Sequence, residues 1–249
     1  MVAEVRKCLT ANRSATQSPK LELNGGSALH AQFMKALAHF VRFLIGVDQP
    51  DSQVTDRELS LLRKYASDSR TIVEIGCYEG KTSVALAEAS PRLEKLYSVD
   101  PFLRGRLGVC YGELIARMHR RRRRVKNIEF IKAFSHEAAP SFDVPIDFLF
   151  IDADHRYESI KRDSEDWFEK VRIGGVIALH DCKVAGSRRE RLGSMTFYEQ
   201  DLPRIASLEE IDCVDSMVIL RVVNSIDNAS ANRPQKTVRN ETRSGATRP

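Results

Sequence analysis

Three stretches of this 249-residue chain bring acids, histidines and glycines together at spacings that can do chemistry: VEIGCYEGKTS at 73–83, IDADHRYES at 151–159 and ALHDC at 178–182. The first ends in Gly-Lys-Thr-Ser, as a phosphate loop does. A phosphate loop needs four residues between its glycines so that successive backbone N–H groups can wrap the phosphates. Gly76 and Gly80 have three between them, and Glu79 would set a carboxylate among phosphate oxygens. A dinucleotide turn needs a glycine at its second position, and position 78 is Tyr. The other two stretches supply Asp152, Asp154, His155, His180, Asp181 and Cys182. Carboxylate oxygens at a common rim suit Mg²⁺, and also Mn²⁺ or Ca²⁺, better than zinc. An imidazole such as that of His155 titrates where a general base is useful.

These residues need a frame that gathers them. Five short apolar runs rich in β-formers occur at 71–77, 95–101, 128–134, 147–154 and 175–181, separated by segments such as 80–90 and 156–171 that are long enough for crossover helices. Alternation of this kind predicts an α/β fold, a doubly wound, mostly parallel sheet with helices on both faces. Two further runs, SLEEIDCV and SMVILRVV, predict a C-terminal antiparallel hairpin and bring the sheet to seven strands. Helices are expected at 30–47 and 55–67, the second opened by a Thr55/Glu58 capping box. In 156–171, Tyr157, Ile160, Trp167 and Val171 form the expected buried stripe. Ligands of such sheets sit outside the carboxyl ends of the strands, which singles out 74–80, Asp100, Phe134 and Ser135, 152–155 and 180–182.

On those residues, Glu74-Ile-Gly-Cys-Tyr-Glu-Gly at the end of the first strand resembles motif I of the class I S-adenosylmethionine-dependent methyltransferases. Asp100, 24 residues after Gly76, closes the second strand where that class holds ribose. The resemblance implies a Rossmann-like methyltransferase fold over about 55–222 with S-adenosylmethionine as cofactor. Gly76, Tyr78, Gly80 and Ser83 would form the turn beside its amino acid part, Glu74 would orient the amino group, Asp100 would hold the ribose, and Phe102 would pack on adenine. Ser135 and Asp152 complete the implied cofactor wall, although no acid follows the third strand to read the adenine amine.

The D-x-D-H and H-D pairs resemble small bacterial methyltransferases and metal-dependent O-methyltransferases of the catechol and macrolide-sugar types. This second resemblance implies a divalent metal on Asp152 and Asp181, with the third ligand open among Cys182, Asp154 and His180, and His155 as the catalytic base. His180 also reads as a packed, hydrogen-bonded histidine. The expected reaction is methyl transfer to a hydroxyl of a sugar or glycosylated small molecule, with a phenolic acceptor as the alternative and, from other classes, a P-loop-like nucleotide-binding protein or a non-catalytic cofactor-binding module. Segment 30–47 and loop 183–198, with Arg188, Arg189 and Arg191, are candidate covers over the site.

Composition sets the outer limits. The net charge of +5 is concentrated in Arg120–Arg124, and no aromatics interleave that run as single-stranded nucleic acid binders require, so a solvated helix face or loop is expected and nucleic acid is not. No run approaches the roughly 20 apolar residues of a membrane span, and five scattered cysteines without a C-x-x-C pair suggest reduced thiols. These features predict a cytoplasmic protein with one domain at 29–224 and disordered tails at 1–28 and 225–249; the family resemblance is compatible with a homo-oligomer.

Overall fold

The computed structural model describes residues 25–105, 108–184 and 191–226, with side chains from residue 33 onward. The expected tails fall largely outside these residues, as do Arg188 and Arg189. The chain runs α1 (Gly25–Leu44), α2 (Asp56–Ala66), β1 (Thr71–Ile75), α3 (Lys81–Ala89), β2 (Lys95–Val99), α4 (Tyr111–Arg122), β3 (Ile128–Ile131), α5 (Ser135–Ala138), β4 (Ile146–Ile151), α6 (Tyr157–Trp167), β5 (Val171–Leu179), α7 (Gly193–Gln200), β6 (Leu208–Val214) and β7 (Met217–Val222). The seven strands form one sheet in the order β3-β2-β1-β4-β5-β7-β6. Strands β1 to β5 pair in parallel, while β7 runs antiparallel to both β5 and β6.

The core follows from the two-residue period of the strands. Val73, Ile75, Leu149 and Ile151 face one layer with Ile160, Trp167 and Phe197. Ile72, Phe148 and Phe150 face the other with Leu62, Leu86 and Leu96. Both layers exclude solvent, which is why the central strands read as continuous apolar runs. Val171, expected on the helical stripe with Ile160 and Trp167, instead opens β5, where it is buried. The capping box forms as expected: Thr55 Oγ1 accepts from Glu58 N at 3.2 Å and Glu58 Oε2 accepts from Thr55 N at 2.9 Å.

The arginine run ends α4 on an exposed face, as expected, and three of its side chains bond to neighbouring elements. Arg120 donates to Ile128 O at 2.7 Å, and Arg123 forks onto Glu88. Arg122 donates to the terminal carbonyls of α1, Phe43 O and Leu44 O, both at 2.8 Å, and lies 4.4 Å from the Phe43 ring. A cation placed on exposed C-terminal carbonyls satisfies acceptors that the helix leaves open.

Strand register positions the site. Ile75 is aligned with Val99 in β2 and Ile151 in β4, and Ile151 with Leu179 in β5. The residues one step further, Gly76, Asp100, Asp152 and His180, therefore emerge side by side where the strand order reverses between β1 and β4. Backbone bonds extend the ladder to them: Gly76 N to Val99 O at 2.9 Å, Asp152 N to Ile75 O at 2.9 Å and His180 N to Ile151 O at 3.1 Å.

Candidate active site

A crevice of about 1420 Å³ opens at this rim, lined among others by Gly76, Tyr78, Asp100, Ser135, Asp152 and His155. Its floor is a turn in which Gly76, Tyr78 and Gly80 have φ of 94°, 52° and 72°. A Cβ on Gly76 would lie 2.0 Å from the Asp152 carbonyl oxygen, so a residue with a side chain cannot occupy this position without moving β4. Asp100 stitches the turn together. Its Oδ2 accepts from Cys77 N and Tyr78 N, each at 3.0 Å, and Oδ1 accepts from Phe102 N at 2.7 Å. Tyr78, Phe102 and Asp181, three non-glycine residues with positive φ, all lie just beyond strand ends. Strain of this kind persists where surrounding structure enforces it, and it clusters at functional sites.

Glu74 lies beneath the turn and does not line the crevice. It is fully buried, accepts from the hydroxyls of Ser83 and Ser98, and leaves Oε1 without a partner. Burial pushes its carboxyl up to about 8 against the serine bonds. Ser83 is buried with it and is likewise spent on Glu74, so both act from below the turn. Phe102 is buried and packs edge-on against Phe130, their ring centres 6.2 Å apart.

At the β4–β5 half of the rim, His180 is almost completely buried. Its Nδ1 lies 2.9 Å from Asp152 Oδ1 and its Nε2 3.3 Å from Glu58 Oε2, with Asp181 Oδ2 at 3.8 Å from Nδ1. Burial disfavours the imidazolium, but the bonds to Asp152 and Glu58 outweigh it and raise His180 to about 10. Burial pulls Glu58 the other way, yet bonds from His180, Thr55 N and Ser216 lower it to about 2. Glu58 also accepts from Ser216 N at 3.0 Å and Ser216 Oγ at 2.8 Å, so it ties α2 to the β6–β7 turn and to the site.

The expected metal set does not fit this arrangement. Both ring nitrogens of His180 are committed to carboxylates, leaving no lone pair for an ion. Cys182 is buried, and burial raises its thiol away from the thiolate that a metal needs. Asp154 is engaged by Arg156 and Ser159. Among the described residues, no group of three or more His, Cys, Asp and Glu converges to hold an ion. The positive charge beside Asp152 is supplied by His180.

His155 remains available. It lines the crevice with its side chain 28% exposed, and its Nε2 lies 3.5 Å from Asp181 Oδ2, whose side chain is 3% exposed. The α7 start fixes both: Ser194 N donates to His155 O at 3.1 Å and Ser194 Oγ to Asp181 O at 2.6 Å. A solvent-facing imidazole backed by a buried carboxylate is an arrangement suited to accepting a proton. Of the expected covering arginines, Arg191 pairs with Glu199 on α7.

Residues 73–182 match the family model described as a methyltransferase domain. This span runs from the glycine turn to the Asp181 rim and contains the whole crevice floor. This segment of the chain is similar to a methyltransferase domain. Similar folds include cofactor-bound Rv0187 from MTB, with a TM-score of 0.57, 18% identity and 84% of this chain and 100% of that one covered. The O-methyltransferase TomG from Streptomyces achromogenes, solved with SAM, has a TM-score of 0.55, 19% identity and 79% and 96% coverage. An O-methyltransferase from Bacillus cereus, solved with SAH, gives 0.54, 16%, 90% and 97%. Among curated proteins, the uncharacterized protein R132 of Acanthamoeba polyphaga mimivirus is 28% identical over 131 residues, covering 49% of this chain. The match spans 56% of that relative's length. The fold and the methyltransferase recognition are thus borne out. Among the described residues no helix is long and apolar enough to cross a membrane.

Residue types alone did not reveal the crevice contributions of Asp51, Ser52 and Gln53, of Lys81 and Thr82, or of Asp163. Glu58 was visible as a cap, with nothing local to show that its carboxylate also reaches His180.

Proposed function

We propose that this domain transfers a methyl group from S-adenosylmethionine to a hydroxyl of a small molecule, with His155 as the base. His155 on the wall of the crevice that holds the glycine turn, backed by the buried Asp181, carries this reading. Gly76, Cys77 and Tyr78 line the space for the amino acid part of the cofactor, and the unspent acceptor capacity of Asp100 takes the ribose. Neighbours of the same fold solved with SAM or SAH support the cofactor.

The sulfonium already carries a good leaving group, so the chain mainly has to align, shield and remove one proton. The acceptor hydroxyl gives its proton to His155. Its oxygen forms the new bond to the methyl carbon, and the sulfur–methyl bonding pair returns to sulfur, which becomes a neutral thioether. The imidazolium formed on His155 faces Asp181, which offsets its charge. No step is assigned to a metal, because the donor set does not fit one.

A sugar or glycosylated acceptor follows from the sequence resemblance. A phenol is the second reading, favoured by the exposed apolar groups at the mouth, where Tyr78, Leu103 and Phe134 are 55%, 70% and 45% exposed. Transfer of labelled methyl across a panel of sugars and phenols, with and without EDTA, tests the reading. Labelled product that depends on His155 and survives chelation is expected; product made equally well by His155→Gln would remove the base, and product abolished by EDTA and restored by Mg²⁺ would restore the metal.

A further inference from the structure

The cofactor reading leaves its nucleobase without a reader, since positions 134–136 after β3 hold no acid and Glu137 is spent on the Phe134 N–H. The fold brings one there from another element. Asp163, in the middle of α6, is 4% exposed and lines the crevice, and its Oδ1 accepts a hydrogen bond from the Ser135 hydroxyl at the start of α5. Its other oxygen, Oδ2, has no hydrogen bond to any described residue. Oδ2 is not one of the sealed, partnerless polar atoms of the core; it stays accessible and can accept a hydrogen bond from a ligand donor. Close by in sequence, Phe134 and His136 stack with ring centres 5.6 Å apart and planes at 19°, giving this end of the crevice flat surfaces against which a purine can lie.

We propose that Asp163, oriented by Ser135, reads the exocyclic amine of the cofactor's adenine through Oδ2. The inference rests on the cofactor reading above and adds a residue to it. Burial pushes the Asp163 carboxyl up to about 6, so near neutral pH it is still an ionised acceptor. A structural staple between α5 and α6 would need the Ser135 bond alone. Base reading needs the second oxygen as well, and that requirement separates the two roles.

The test is a titration of the full chain with S-adenosylhomocysteine and with S-inosylhomocysteine, in which a 6-oxo group replaces the amine. The wild type is expected to prefer the adenosyl compound by roughly tenfold to a hundredfold, the range of one hydrogen bond to a charged group. In Asp163→Asn, Ser135 still donates to the side-chain carbonyl, which turns the amide N–H₂ toward the base. That geometry opposes an amine and suits an oxo group, so the preference is expected to invert. Ser135→Ala leaves Asp163 in place without its orienting bond and should shrink the preference; it serves as the readout if Asp163→Asn does not fold. Retention of the wild-type ratio in both variants, or in the one that folds, would overturn the role of Asp163 while leaving the cofactor assignment standing. Failure of the wild type to bind either compound would overturn both.

Discussion

The two halves of the rim work by different means. At the β1–β2 half the backbone does the selecting: Gly76 has φ of 94°, with no space for a Cβ against β4, and Asp100 is held by three backbone N–H groups. At the β4–β5 half side-chain charge does it, through a buried histidine shared by Glu58 and Asp152 and a second histidine beside Asp181. One half is specified by the shape of one short turn, the other by partners far apart in the chain. A turn is legible from local residue types, and a charge network is not.

The contrast sharpens under mutation. The largest effect is expected at the backbone half, from Gly76→Ala. Its Cβ would meet Asp152 O at 2.0 Å in a left-handed conformation, so a loss of more than about 4 kcal/mol in chemical denaturation, or no folded protein, is expected. If the variant folds at near wild-type stability, the turn is not the rigid element described here. Next comes the charge half: Glu58→Ala leaves the buried His180 imidazolium facing an empty space and should cost about 3–5 kcal/mol by the same measurement. His155→Ala should leave S-adenosylhomocysteine affinity unchanged and lower kcat by about 10²–10⁴-fold, the usual contribution of a positioned base. If instead both parameters fall together, His155 belongs to the binding surface.

The same half predicts a pH dependence. His180 is raised from 6.5 to about 10, so its stabilising contribution is complete below pH 6.5 and is lost as pH climbs toward 10. Glu58 is lowered from 4.5 to about 2, so its contribution is complete above pH 4.5 and is lost as pH falls toward 2. Denaturation midpoints of the wild type should therefore decline on the alkaline side relative to His180→Gln, which lacks that titration; parallel curves would contradict the buried imidazolium. The smallest effect is expected away from the rim: Arg122→Ala should cost about 1 kcal/mol and speed hydrogen exchange at the end of α1, whose carbonyls it holds.

Much of this frame could be read from residues close together in the chain. The five parallel strands, the terminal hairpin, the Thr55/Glu58 cap and the glycine turn each carry a local signal of period, cap or turn chemistry. Because register follows from aligned apolar runs, the sequence also indicated which residues emerge together at the rim. What it did not show depends on long separations. Glu58 reaches His180 across 122 positions and Ser216 across 158, and Asp163 reaches Ser135 across 28. Asp152, Asp181, His180 and Cys182 have residue types that suit a cation, yet packing gives His180 to two carboxylates and seals Cys182 in the core. Type and position on the rim were legible there, whereas pairing was not. Glu74 shows the same limit: strand parity turns it toward Ser83 under α3, while proximity in sequence suggested the ligand side.

The central claim is that the crevice between Asp100 and Asp152 holds the methyl donor. A crystal grown with S-adenosylhomocysteine tests it most directly. Density should show the homocysteine over the 76–80 turn, the ribose hydroxyls on Asp100 and the sulfur turned toward the side where His155 stands. An empty crevice under saturating ligand, or the same compound bound elsewhere on the chain, would contradict it.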